Sequence, residues 1–225
     1  MAETQKSYKA DLIEHSMSVN ALKFGSFVLK SGRISPYFFN AGHLCTGPIL
    51  ATLSTAYATT ISDAIANATF PEFDVLFGPA YKGIPFAATT ALTLFTLHKI
   101  SIGYAYDRKE AKDHGEGGNM VGADVKGKRV VILDDVMTSG KAIRGAIDTI
   151  IRQGGQVVGV VQALDREEVG QDGRSSTVIE IENLIGKGRV LSVLKMKDLM
   201  DWLDQKGLAN DLQSMKDYRD QYGLK

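Results

Sequence analysis

Cysteine is almost missing from this chain. Cys45 stands alone, which excludes an intramolecular disulfide and a metal site built from paired thiolates, and fits a reducing compartment. Also lacking is an excess of either charge, since 26 Lys and Arg balance 26 Asp and Glu. With no global basic field, neither nucleic acid nor an anionic membrane is an expected partner, and any anion has to be held by local clusters. No apolar run reaches the roughly 18 residues that a spanning helix needs. The first residues, MAETQKSYKADLIEHS, include acidic side chains and no continuous apolar core. Neither a signal nor a transit peptide is therefore expected there, and the expected location is cytoplasmic. Two nucleotide fingerprints are missing as well: GxxxxGK followed by Ser or Thr, and GxGxxG after a strand. Internal repeats and low-complexity stretches are absent.

What is present is the rhythm of an α/β domain. The chain has 225 residues, enough for one well-buried domain or one domain with a small appendage. Helical spacing predicts a first helix over about Tyr8 to Ala21, and two short strands follow, around a turn at Ser31-Gly32. A helix is expected from Gly47 to about Ala68. Compact apolar strands then start at Phe73, Ile102, Arg129 and Gln156, with helices from about Ile84 to His98 and from Lys141 to Gln153. Such alternation means crossover units and a mostly parallel sheet flanked by helices. A last strand at Val190 to Leu194 and helices over Met196 to Gln205 and Asn210 to Tyr222 complete the reading.

The segment VVILDDVMTSGKA, Val130 to Ala142, carries the clearest chemistry. In an open parallel sheet, ligands bind beyond the carboxyl ends of the strands. Asp134 and Asp135 stand at such an end, where acceptor-only side chains can hold two neighbouring ribose hydroxyls or reach a divalent cation. Thr138, Ser139 and Gly140 follow and lead into a helix at Lys141, so backbone N–H groups, hydroxyls and the helix N-terminus form an anion cradle. An Asp pair alone fits any strand-to-helix turn. The ordered combination points instead to a sugar bearing a 5′-phosphate, and the segment resembles the phosphoribosyl pyrophosphate signature of type I phosphoribosyltransferases.

A pyrophosphate leaving group needs preorganised cations in a site closed to water. Tyr81-Lys82-Gly83 supplies one lysine past a second strand, although a solvated loop lysine would read the same way. The segment DRKEAKDHGEGG, Asp107 to Gly118, holds Arg108, Lys109, Lys112 and His114. Its glycines suit a lid that hinges over a ligand better than a mere surface connector. Tyr37-Phe38-Phe39 puts three aromatics on one short strand, a pattern shared by core strands and by platforms for a planar base.

LKSGRISPYFFNAG, FGPAYKGIP, DRKEAKDHGEGG, VVILDDVMTSGKAIR and LDREE occur in that order across Leu29 to Glu168. Together they resemble the orotate phosphoribosyltransferase family. The resemblance implies the type I phosphoribosyltransferase fold, with a small hood from about residues 1–45 on a core of about residues 46–225. It implies that phosphoribosyl pyrophosphate is bound by Lys30, Tyr81, Lys82, Arg108, Lys109, Lys112, His114 and the run Asp134, Asp135, Val136, Met137, Thr138, Ser139, Gly140, Lys141 and Ala142. Orotate would meet Phe38, Phe39, Thr138 and Arg166, the last through its carboxylate, for which a guanidinium is well shaped. Lys112, His114, Asp134 and Asp135 would be the catalytic set, with Lys112 first at the leaving group. Mg²⁺ is the implied cofactor, held mainly by the pyrophosphate substrate and water rather than by direct protein ligands. A homodimer is implied too, each subunit lending its charged loop to the neighbouring site. One departure stands out: the family pattern TAGTA reads Thr138-Ser139-Gly140-Lys141-Ala142 here, so a lysine replaces a threonine beside the phosphate.

Two other readings start from the same residues. A phosphoribosyltransferase fold turned regulator, sensing nucleotides or RNA, would not need both aspartates and the charged loop. A transferase for uracil or a purine gives no reason for Lys30, Phe38, Phe39 and Arg166 to occur together.

Overall fold

The computed structural model describes residues 2–112, 118–170 and 175–224. Helix α1 (Ala2–Ser18) begins well before the expected Tyr8 and stops short of Ala21. The stop has a local cause. Asn20 takes a left-handed conformation, φ 60°, and the Ala21 N–H closes back on the Ser16 carbonyl at 2.8 Å, the usual way a non-glycine ends a helix. Strands β1 (Leu22–Val28) and β2 (Ile34–Phe39) then form an antiparallel hairpin, with Leu22 opposite Phe39.

Helix α2 (Gly47–Ala66) carries a proline in its first turn, where a missing N–H costs nothing. After it come β3 (Val75–Gly78), α3 (Gly83–His98), β4 (Gly103–Lys112), β5 (Gly118–Gly122), β6 (Arg129–Asp134), α4 (Lys141–Arg152) and β7 (Gln156–Asp165). The chain ends with α5 (Thr177–Ile185), β8 (Val190–Lys195), α6 (Met196–Gln205) and α7 (Ala209–Tyr222). The main sheet has the order β5-β4-β3-β6-β7-β8, parallel throughout except for β5 at one edge.

Alternation along β6 explains why the sheet is covered on both sides. Val131 and Leu133 face the cluster built from α2 and α3, with Leu53, Ile61, Phe86 and Leu94. Val130 and Ile132 face Ile143, Ile147 and Ile150 of α4 and Ile181 of α5. The β1–β2 hairpin joins the first cluster through Leu22 and Tyr37, next to Leu199, Met215 and Tyr218 of the last two helices. Phe24 stacks on Trp202 with ring centroids 6.3 Å apart.

Further features depart from the sequence reading, among them β5, which it did not contain. Asp107 to Lys112, expected to belong to a loop, continues β4 and pairs with β5 across a bulge. Ladder hydrogen bonds do not depend on side-chain polarity, and an edge hairpin need not bury either face, so charge does not prevent a strand here. Helix α5 was not expected at all, yet Ser176 caps it by accepting from the Ile179 N–H at 3.2 Å. Among the described residues, no helix is long and apolar enough to cross a membrane.

Candidate active site

The carboxyl ends of β3, β6 and β7 lie side by side, and the segments leaving them converge. β6 delivers Asp134 and Asp135. From β3, the loop to α3 folds backbone against backbone over the end of β6: a Cβ on Gly83 would sit 2.7 Å from Pro79 Cδ and 3.0 Å from the Leu133 carbonyl oxygen. That close approach requires glycine. It also sets Lys82 Nζ 2.9 Å from Asp135 Oδ2. The other oxygen, Asp135 Oδ1, accepts from the Val136 N–H at 2.8 Å. The Asp135 carbonyl takes the N–H groups of Ala163 and Leu164, which ties this turn to β7.

Asp134 is electrostatically uncomfortable. Burial, and secondly the negative charge of Asp135, push its pKa up to about 6. Its carbonyl accepts a 2.8 Å bond from the Tyr57 hydroxyl of α2. Burial pushes the Tyr57 phenol well up, so it remains a permanent donor. A buried carboxyl with a raised pKa beside a second carboxylate at a sheet end is suited to accepting sugar hydroxyls or to meeting a cation that relieves the repulsion.

The following loop is held from three sides. Gly140 takes the left-handed conformation, φ 68°, and a Cβ there would come 2.8 Å from Thr177 Cγ2. Thr177 Oγ1 donates to the Thr138 carbonyl at 2.7 Å, and an Arg144–Glu180 ion pair joins α4 to α5. Met137 is buried, and its N–H donates to Gln162 Oε1 at 3.1 Å. Thr138, Ser139, Lys141 and Ala142 are exposed, leaving the loop face and the α4 N-terminus open to an anion.

β4 enters from the other side. Asp107 Oδ1 accepts from the Ala80 N–H at 2.7 Å, and Lys109 Nζ lies 4.7 Å from the centre of the exposed Tyr81 ring. Two separately predicted groups, Tyr81-Lys82 and the stem of the charged segment, therefore meet. Arg108 is half-buried. Lys112 is the last residue of β4, and His114 lies outside the described residues.

Beyond β7, Arg166 is held firmly. Its Nε donates to Glu168 Oε1 at 2.7 Å, Nη2 donates to Ser35 Oγ at 3.0 Å, and the guanidinium lies 4.4 Å over Tyr37. Glu168 Oε2 also accepts from Arg33 at 3.2 Å. The aromatic strand accordingly is no single platform. Strand alternation buries Tyr37 under Arg166, leaves Phe38 exposed against Phe27 at 5.6 Å, and turns the half-buried Phe39 to the core. Lys30 is exposed in the hairpin turn after β1. Sequence reasoning passed over Tyr57, Gln162, Thr177, Arg33, Ser35 and Glu168. Only Gln162, a lone amide inside the apolar run VVGVVQALD, carried a visible signal.

Residues 48–187 match the family model described as phosphoribosyl transferase domain. An orotate phosphoribosyltransferase of Vibrio atlanticus is 47% identical over 97% of this chain and 100% of its own length. A second, from Acinetobacter baylyi, is 49% identical over 94% of each chain. The chain belongs to the orotate phosphoribosyltransferase family. Among solved structures, the Francisella tularensis orotate phosphoribosyltransferase superposes with a TM-score of 0.82 at 38% identity, covering 95% of this chain and 100% of that one. The fold is thus the type I phosphoribosyltransferase fold, a mostly parallel sheet between helices. The reaction of an orotate phosphoribosyltransferase moves 5-phosphoribose from phosphoribosyl pyrophosphate to orotate N1, forming orotidine 5′-monophosphate and pyrophosphate in pyrimidine biosynthesis. Among the described residues, no group of three or more His, Cys, Asp or Glu is arranged to hold a metal ion.

Proposed function

We propose that the converging ends of β3, β6 and β7 are the site of this transfer, and that the tethering of Lys82 to Asp135 beside the open Thr138–Ala142 loop is the observation that carries it. Asp134 and Asp135 accept the ribose 2′- and 3′-hydroxyls, and the loop N–H groups and hydroxyls take the 5′-phosphate. Lys30, Tyr81, Lys82, Arg108 and Lys109 surround the pyrophosphate, with Lys112 and His114 assigned to it by the family resemblance. Arg166 pairs with the orotate carboxylate, Thr138 lies near the base, and the segment of Phe38 and Phe39 offers backbone groups and one exposed ring.

Orotate N1 attacks C1′ as the bond to pyrophosphate breaks, so positive charge grows on the sugar ring and negative charge on the departing oxygen. The carboxylate pair beneath the ribose favours the first, and the lysines favour the second without reorganising. Mg²⁺ fits this donor set. Two carboxylates at a strand end, one already paired with a lysine, suit an ion that keeps most of its ligands from pyrophosphate, hydroxyls and water. When bound, it neutralises charge on the pyrophosphate oxygens. Loss of orotate absorbance with phosphoribosyl pyrophosphate and Mg²⁺ tests the assignment. Orotate is expected to be consumed, and equal turnover of uracil, hypoxanthine or adenine would refute it.

A homodimer and a cytoplasmic location complete the proposal. The exposed apolar stripe Tyr81, Pro85, Leu92 and Phe95 supports the first, with Leu92 63% and Phe95 56% exposed along α3. Mixing an Asp135→Asn subunit with a Lys112→Ala subunit is expected to restore about a quarter of wild-type activity, because random pairing makes that share of sites intact when loops are exchanged. Loops acting within their own subunit would restore none.

A further inference from the structure

Gln162 is 1% exposed, inside a parallel strand between the apolar Val161 and Ala163. A primary amide buried there is costly unless every donor and acceptor is used. Here the amide bridges two elements. Its Oε1 accepts from the Met137 N–H at 3.1 Å, and its Nε2 donates to Ser192 Oγ of β8 at 3.1 Å. The orientation is unambiguous, because a backbone N–H requires the oxygen end. Strand register places Gln162 beside Asp134 on one side and Ser192 on the other. It therefore reaches from the sheet to the first turn of the loop just past the acidic pair.

We propose that Gln162 is a positioning residue for the 5′-phosphate of the sugar substrate, acting through Met137; this rests on assigning that phosphate to the Thr138–Ala142 loop. The geometry gives the reason. Only Thr138 and Ser139 separate Met137 from the left-handed Gly140, and Thr177 holds the Thr138 carbonyl between them. With the Met137 N–H fixed from below and the Thr138 carbonyl fixed from α5, the next peptide groups are aimed before the anion arrives. A preorganised cradle loses less freedom on binding than one that must be ordered. Tyr57 holds the Asp134 carbonyl from the α2 face, so the acidic pair and the loop are braced separately, and loosening one need not loosen the other.

The test uses the two halves of the substrate as probes, with Gln162→Met as the variant, since methionine keeps the volume and removes the acceptor. Calorimetric affinity for ribose 5-phosphate is expected to fall about tenfold, or about 1.4 kcal/mol, while pyrophosphate affinity stays within about twofold. In turnover, KM for phosphoribosyl pyrophosphate should rise with kcat nearly unchanged. Equal losses for both probes, or no loss for either, would overturn the proposal. Should Gln162→Met fail to fold, Ser192→Ala frees the other end of the amide and is expected to lower ribose 5-phosphate affinity about threefold, again sparing pyrophosphate; no selective loss would count against the proposal. Gly140→Ala separates the underlying assignment. If it leaves ribose 5-phosphate binding intact, the loop does not hold the phosphate and both ideas fall. If it abolishes binding while Gln162→Met does not, only the role of Gln162 is lost.

Discussion

Asp134→Asn is expected to lower kcat/KM by about 10²- to 10³-fold while making the folded protein more stable at neutral pH. The first effect follows from replacing a carboxylate proposed to accept a ribose hydroxyl with an amide that has one acceptor oxygen and no charge, a loss of roughly 3–4 kcal/mol in the transition state. The second follows from burial. The folded pKa of Asp134 is about 6, against 3.8 for the free group, because desolvation and then Asp135 disfavour its charge. Between those values the folded state binds more protons than the unfolded one, so stability falls as pH rises through the window from about 4 to about 6. Above it the full penalty applies, roughly 1–3 kcal/mol. Denaturant titrations of both proteins at pH 7.5 and pH 4 provide the check. The asparagine variant should be the more stable at the higher pH, with most of its advantage gone at the lower one. An equal advantage at both would show that Asp134 is not strained by its charge. The wild-type kcat/KM should show an acidic limb near pH 6, where Asp134 loses the charge that the site needs.

Arg166→Met is expected to raise KM for orotate by at least about a hundredfold and to cost stability as well. In the folded chain the guanidinium is committed on Nε to Glu168 and on Nη2 to Ser35, with its face against Tyr37. These contacts hold the guanidinium in a fixed plane, the orientation that pairing with a carboxylate requires. Truncating one member of a buried, hydrogen-bonded charge pair typically costs about 2–5 kcal/mol, much of it from the stranded partner. Glu168 retains Arg33, which keeps the stability loss towards the lower end of that range. Arg166→Lys should recover little, because one ammonium cannot satisfy Glu168, Ser35 and a substrate carboxylate in a fixed plane. Steady-state kinetics with orotate varied, beside KM for phosphoribosyl pyrophosphate, separate the two effects. If both KM values rose together, Arg166 would be supporting the fold rather than the base.

The mostly parallel sheet was legible because its strands are short apolar runs spaced by amphipathic helices, and that periodicity is a property of the chain itself. The acidic pair and the turn after it were legible for the same reason: strand end, carboxylates and small residues are contiguous in VVILDDVMTSGKA. The charged segment was legible in composition but not in conformation. Its first half extends β4, because β5 at the sheet edge satisfies its backbone whatever its side chains are.

Nothing local announced α5 as part of the site, although its cap and periodicity could have been read. Its role depends on Thr177 meeting Thr138, 39 residues earlier. The same holds for Tyr57 at Asp134, Lys82 at Asp135, and Ser35 and Tyr37 around Arg166, where partners are far apart in the chain. The sequence by itself determined the class of fold, the acidic pair and the residue types available to bind a phosphorylated sugar. Tertiary structure alone decided which side chain restrains which, because parallel strand order and helix packing bring distant residues within hydrogen-bonding distance. It also raised the pKa of Asp134, since desolvation exists only once neighbouring elements exclude water.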